Sequence, residues 1–161
     1  MKKIILVRHA KSSWAYRVED FDRPLKQRGI KDAHLIGPEL GDRLETPDII
    51  LSSPAARALQ TAVLVTKGMN LPSSSIKLVD QLYNFDASNL RSVLRMVDDK
   101  HDSVMLLSHN HGITQFANDM GDVTVNNVPT CGVVVIDVNI KKWSDLKPGT
   151  TEFTLFPKEL K

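Results

Sequence analysis

Two arginines and two histidines stand where chemistry on an anion would need them. Arg8-His9 follows directly on the apolar run Ile4-Ile5-Leu6-Val7. Arg57 lies four residues after Ser53, just past the run Ile49-Ile50-Leu51. His109 follows Ser108 at the end of Val104-Met105-Leu106-Leu107. An imidazole serves as a nucleophile or a proton carrier, and a guanidinium grips phosphoryl oxygens with two prongs. Gathered at one point, the four would make a pocket for a phosphoryl group. No carboxylate cluster is expected beside them, which speaks against a two-metal phosphatase. No Gly-rich loop ending in Lys-Ser/Thr is present, which speaks against nucleoside triphosphates. The remaining chemistry is metal-free phosphoryl transfer to a histidine. One imidazole must be neutral to attack phosphorus in line, and nearby cations keep it so. The guanidiniums and a protonated second histidine would hold the equatorial oxygens.

Such a site requires that the strand ends converge. Each apolar run is short, branched or Leu-rich, and reads as a buried strand. Strands alternate with helical patterns through most of the chain, so the expected fold is an α/β/α sandwich with a largely parallel sheet. In such sheets ligands bind at the carboxyl ends of the strands. Residues 11–25 form a polar loop, long enough to be functional or covering. The first helix is expected over about 26–44, with Ala33, Ile36, Leu40 and Leu44 on one face and Gly29, Gly37 and Pro38 bending or splitting it. His34 near that face reads as a structural or half-exposed histidine. A second helix should run from Pro54 to about Lys67, capped by Ser53 and closed by Gly68, with Arg57 in or near its first turn. There the helix N-terminus already favours an anion. Residues 76–79 suggest a short strand near an edge. Ser88 should cap a helix carrying Leu90, Val93, Leu94 and Val97. The last expected helix carries Ile113, Phe116, Ala117 and Met120. Two late strands, 133–138 and 153–156, have no helix between them and suggest an antiparallel edge.

Composition narrows the function classes. The chain of 161 residues suits a single domain over 1–161. A net charge of +2, with no basic run interleaved with aromatics, leaves no footprint of a nucleic-acid binder. Lys141-Lys142 reads as solvated surface, and His101 as an exposed residue of a charged turn. The single cysteine, Cys131, excludes an intrachain disulfide and reads as a small, partly buried residue before a strand. No apolar run approaches the ~20 residues of a membrane helix, and the N-terminal run is too short for a signal peptide. The expectation is a cytoplasmic protein without a membrane partner, metal or cofactor.

In order along the chain, Arg8-His9-Ala10-Lys11-Ser12-Ser13-Trp14, Asp22-Arg23-Pro24-Leu25 with Gly29, and Leu51-Ser52-Ser53-Pro54 through Arg57 to Gln60-Thr61-Ala62 make a pattern. Leu82-Tyr83, Ser108-His109-Asn110 and Pro129-Thr130 continue it. The pattern resembles the histidine phosphatase superfamily, and within it the SixA-like protein phosphohistidine phosphatases, over nearly the whole chain. The resemblance implies a phosphoglycerate mutase-like fold, with His9 as nucleophile and Arg8, Arg57 and His109 holding the phosphoryl group. It places Arg23 at the rim, touching phosphate or a partner, or else simply fixing its loop. Ser12 and Asn110, inside the first and last motifs, are expected as further substrate contacts.

The departures bear on substrate. Ala10 replaces a common Gly, Ala15 a common Asn, and His111 a common Pro; His111 reads as a partly exposed helix-start residue. Gln81 stands where the family's usual proton-donating Glu aligns, and neither Asp80 nor Asp86 has the right spacing. An alkoxide leaving group needs such a donor, worth about two to four powers of ten in rate. A protonated imidazole needs much less help. The expected substrate is therefore phosphohistidine on a signalling protein such as a histidine phosphotransfer domain. The alternatives are a small phosphate ester and, further off, a phosphate-binding module without turnover.

Overall fold

Ile4, Ile5, Leu6 and Val7 form the middle of the first strand, β1 (Lys2–Arg8), in a computed structural model that describes all 161 residues. Successive side chains of a strand point to opposite faces. Ile4 and Leu6 accordingly enter one core, with Leu94, Val104, Leu106 and Phe116, while Ile5 and Val7 enter the other, with Ile36, Leu40, Val65 and Met105. A strand buried on both faces has no polar alternation, which is why the run is continuously apolar.

The remaining elements are α1 (Gln27–Arg43), β2 (Ile49–Ser52), α2 (Ala56–Gly68), β3 (Ile76–Leu78), α3 (Ala87–Arg95), β4 (Ser103–Ser108), α4 (Gly112–Met120), β5 (Val133–Val138) and β6 (Thr150–Leu155). The sheet order is β3-β2-β4-β1-β5-β6. β1 to β4 are mutually parallel, and β3 is an edge, as expected. Both late strands are antiparallel: β5 pairs with β1 inside the sheet, and β6 pairs with β5 at the other edge. Helices α1 and α2 contribute to one core and α3 and α4 to the other, giving the expected three-layer α/β/α architecture. No helix is long and apolar enough to cross a membrane.

Several local expectations are corrected. α1 is one uninterrupted helix. Its Pro38 is exposed, where water can serve the carbonyl that loses its partner. Gly37 sits where α1 crosses α2: a Cβ there would lie 2.9 Å from the Gly68 Cα, so the two glycines let the helices touch by their backbones. Gly68 closes α2 as expected and also belongs to the crossing, and the chain turns away at Asn70, whose φ of 62° is left-handed. α2 starts at Ala56 rather than Pro54, so its N-cap is Ala55, which has no capping side chain; the Ser53 hydroxyl accepts from the Ala55 N–H at 3.2 Å and shares a hydrogen bond with His109. α3 is capped by Asp86, whose carboxylate accepts from the Ser88 N–H at 2.8 Å, and not by Ser88 itself. β6 begins at Thr150, three residues earlier than the apolar pattern suggests. His34 is exposed, and His101 is half-buried rather than exposed, its carbonyl accepting from Lys2 and Trp143. Cys131 is fully buried, with a φ of 60°.

Candidate active site

Register brings the site together. Arg8 pairs with Ser108 across β1 and β4, and Ser52 pairs with Leu107 across β2 and β4. His9 and His109, the next residues of β1 and β4, therefore emerge at the same level, and Ser53, the residue after β2, one position before them. The His9 N–H donates to the Ser108 carbonyl at 3.1 Å, and the Ser53 N–H to the Leu107 carbonyl at 2.9 Å. The two imidazoles lie 5.2 Å apart, centre to centre. Arg57, in the first turn of α2, reaches the same place. Arg8, His9, Ser12, Arg23, Arg57, His109 and Asn110 thus all line one cavity of about 380 Å³, completed by Lys11, Trp14, Asp20, Phe85 and Thr130.

Neighbouring segments fix this arrangement. Thr61 of α2 accepts from the Ala10 N–H at 2.9 Å and donates to the Arg57 carbonyl at 2.7 Å. Gln60 accepts from the Leu25 N–H at 2.8 Å. One turn of α2 thereby latches both the strand end that carries His9 and the loop that carries Arg23. From the other side, the Cys131 N–H donates to the His9 carbonyl at 3.0 Å.

His9 is held in one tautomer. Its Nδ1 lies 2.7 Å from the Ala10 carbonyl, which can only accept, so Nδ1 carries the hydrogen. Nε2 keeps its lone pair. Burial pushes the His9 pKa down to about 4, and Arg57, Arg8 and Arg23 push the same way, so the ring is neutral at pH 7. Burial, rather than the neighbouring cations that the sequence suggests, is the larger cause. His109 is corrected more fully. Burial first, then His9 and Arg57, lower its pKa to about 3, so it is neutral rather than protonated. Its Nε2 shares a hydrogen bond with the Ser53 hydroxyl at 2.8 Å, and the rings of Tyr83 and Phe85 meet it edge-on.

Three buried polar atoms around this cavity have no partner: Arg8 Nε, Arg57 Nε and His109 Nδ1. A buried donor left unpaired costs about 1–3 kcal/mol, so such groups mark a place that an anion would complete. Other prongs are occupied. Arg8 Nη1 donates to the Val128 carbonyl at 2.8 Å. Arg23 donates to the Ser12 hydroxyl at 2.7 Å and stacks 3.6 Å from the Trp14 ring centre. The Asn110 amide lines the cavity but is engaged by Thr114 and Asn127.

Sequence reasoning missed Asp20, the carboxylate at this site. Its Oδ2 accepts from Arg57 Nη2 at 3.0 Å and from the Tyr83 hydroxyl at 2.7 Å, and its Oδ1 from Arg23 Nε at 3.2 Å. These hydrogen bonds outweigh partial burial and hold its pKa near 2. The available signal was an acidic residue three before Arg23 in a loop without periodicity. Gln81, Asp80 and Asp86 all lie outside the cavity. Gln81 is exposed in a groove with Val79 and Met96, Asp80 is exposed, and Asp86 caps α3. No three His, Cys, Asp or Glu side chains gather where they could hold a metal ion.

Comparisons with known proteins agree with this geometry. The family model for the histidine phosphatase superfamily (branch 1) matches residues 4–90. A candidate phosphohistidine phosphatase SixA from Agrobacterium tumefaciens is 32% identical, over 84% of this chain and 91% of that one, with a TM-score of 0.75. A protein histidine phosphatase SixA solved with tungstate superposes over 99% of both chains, with a TM-score of 0.84 at 22% identity, a likeness of fold. The uncharacterized protein Rv1276c of Mycobacterium tuberculosis H37Rv is 29% identical over 153 residues, 89% of this chain and 93% of that protein. The motifs, the fold and these relatives make the chain a phosphatase of the histidine phosphatase superfamily, SixA-like in sequence and architecture.

Proposed function

We propose that this phosphatase removes the phosphoryl group from phosphohistidine on a protein, through a phosphohistidine formed on His9. His9 Nε2 attacks phosphorus as the bond from phosphorus to the substrate nitrogen breaks, and the substrate imidazole leaves with the bonding pair. The positive charge that develops on the His9 ring is shared with Nδ1–H, already directed at the Ala10 carbonyl. Arg8, Arg57 and His109 hold the transferring oxygens, and Arg23 and Ser12 complete the rim on the Arg57 side. Water then attacks phosphorus, His9 leaves, and inorganic phosphate departs.

One observation carries the choice of substrate. The carboxyl group that lines the cavity, Asp20, is held ionised by two guanidiniums, and Gln81, Asp80 and Asp86 are outside it. A site without a protonated carboxyl suits a leaving group that needs no general acid, such as a protonated imidazole. The rim supports a protein substrate: Trp14, 76% exposed, and the exposed Phe85 flank the opening.

The test compares a phosphorylated histidine phosphotransfer domain with phosphoserine and sugar phosphates, each with wild type and His9→Ala. The expected result is fast loss of phosphohistidine, slow loss of the esters, and a variant slower by roughly three or more orders of magnitude. Efficient turnover of the esters, with phosphohistidine untouched, would transfer the assignment to a small-molecule substrate.

A further inference from the structure

We propose that Asp20 is a specificity-determining residue that occupies the phosphoryl-binding guanidiniums from within, and yields them only to a dianionic phosphoryl group. The inference rests on the reading that this cavity receives a phosphoryl group. It begins with how the donors are spent. Both terminal nitrogens of Arg57 donate to Asp20, Nη1 to its carbonyl at 2.7 Å and Nη2 to its carboxylate at 3.0 Å. Arg23 Nε donates to the second carboxylate oxygen. A carboxylate bridging two guanidiniums reproduces the geometry that two phosphoryl oxygens would adopt.

The members of this cluster differ in how firmly they are held. Arg57 is 2% exposed and built into α2, while Arg23 is buried between the Ser12 hydroxyl and the Trp14 ring. Asp20 sits at the start of a single 3-10 turn, Asp20–Asp22, that contains no buried residue, and its side chain is 42% exposed. The cations are therefore the fixed part, and the carboxylate is the part that can leave. A phosphoryl dianion and a carboxylate repel each other and compete for the same two prongs. A monoanion such as chloride or formate offers the guanidiniums no more charge than Asp20 already supplies. A dianion offers twice as much and engages the unpaired Nε of Arg57 besides. After hydrolysis, the returning carboxylate helps to expel inorganic phosphate.

The opposite role for the same contacts is structural, with Asp20 holding Arg57 and Arg23 in place for substrate. The two roles predict opposite signs. Inorganic phosphate and tungstate are titrated calorimetrically into wild type, Asp20→Asn and Tyr83→Phe, which loosens Asp20 without touching a guanidinium. The expected result is tighter phosphate binding in Asp20→Asn, by roughly ten- to a hundredfold, the scale of a charge-assisted hydrogen bond. Tyr83→Phe shifts binding the same way by less, and formate becomes a measurable competitor only in Asp20→Asn. Unchanged or weaker phosphate binding in both variants overturns the proposal while leaving the phosphoryl pocket standing. Absence of phosphate binding in all three proteins overturns the pocket reading and this inference with it.

Discussion

The two ends of the sheet carry buried cations of different kinds. At the carboxyl end, Arg57 is 2% exposed, and one of its donors has no partner. At the amino end, Lys2 is equally buried, but its ammonium donates to the Asp99 carbonyl, the His101 carbonyl and the Asp102 carboxylate at 2.9, 2.9 and 3.1 Å. Three donors meet three acceptors there. Beside it Lys3 pairs with Asp137 at 3.2 Å and with Glu152. Two cations of equal burial and equal charge therefore do opposite things. One is consumed by the fold, which secures the turn before β4. The other is kept incompletely satisfied, and that residual demand is what a ligand can meet. Burial of a charged residue does not by itself identify a site; unspent hydrogen-bonding capacity does.

The sharpest way to break this contrast is to remove one cation from each end. Arg57→Ala should lower kcat/KM by about two to three orders of magnitude, the usual cost of losing a donor to the transition state. Its melting temperature should not fall in proportion. Lys2→Met should do the reverse, leaving kcat/KM within about twofold and costing roughly 1–3 kcal/mol as the Asp99 carbonyl loses its donor and the His101 carbonyl keeps only that of Trp143. Thermal unfolding and steady-state kinetics on both variants decide it; an unfolded Arg57→Ala alongside an unharmed Lys2→Met would erase the distinction.

Acid should distinguish the ends next. His9 and His109 have folded pKa values near 4 and 3, below the usual value of 6.5. Between those limits the unfolded chain binds more protons than the folded one, so stability falls as pH drops from about 6.5 and is regained on raising it. Activity should persist into the same window, because His9, the proposed nucleophile, stays neutral until about pH 4. Denaturant titrations and a pH–rate profile, with uncatalysed loss of substrate subtracted, should show stability failing before activity. Replacing both imidazoles should flatten the stability curve above pH 4. The smallest effect is expected at the rim of the amino end, where Glu152→Gln should cost less than about 1 kcal/mol because the pair it breaks is partly exposed.

The convergence of Arg8, His9, Arg57 and His109 on one cavity was legible because each stands at or shortly past the end of a buried strand, and parallel strands carry those ends to one side of the sheet. His109 repeats the placement of His9 in the sequence as it does in space. What stayed hidden depends on contacts between distant segments. Ser53 has the local signature of a helix cap, but the helix begins at Ala56 and the hydroxyl also pairs with an imidazole 56 residues away. Asp20 meets Arg57 across 37 residues from a loop with no period, and nothing nearby announces the pairing. The neutral state of His109 is a property of its burial, and burial at a strand end is not written in any short motif. Gly37 and Gly68 look like helix breakers singly; only together, at a crossing, do they explain each other.

Cys131 secures the strand end that carries His9, and it has a consequence for the redox life of the molecule. It is the only cysteine, it is fully buried, and burial together with Asp32 pushes its thiol pKa far above the ordinary range. Oxidants and electrophiles react with thiolates, and this thiol supplies essentially none. The proposed nucleophile, His9, is a nitrogen that peroxide does not convert to an acid of sulfur. The strand end that carries His9 is thus held by the backbone N–H of a residue whose thiol stays protonated, and under the proposed reading a histidine nucleophile leaves the dephosphorylation without a reactive cysteine for an oxidant to silence.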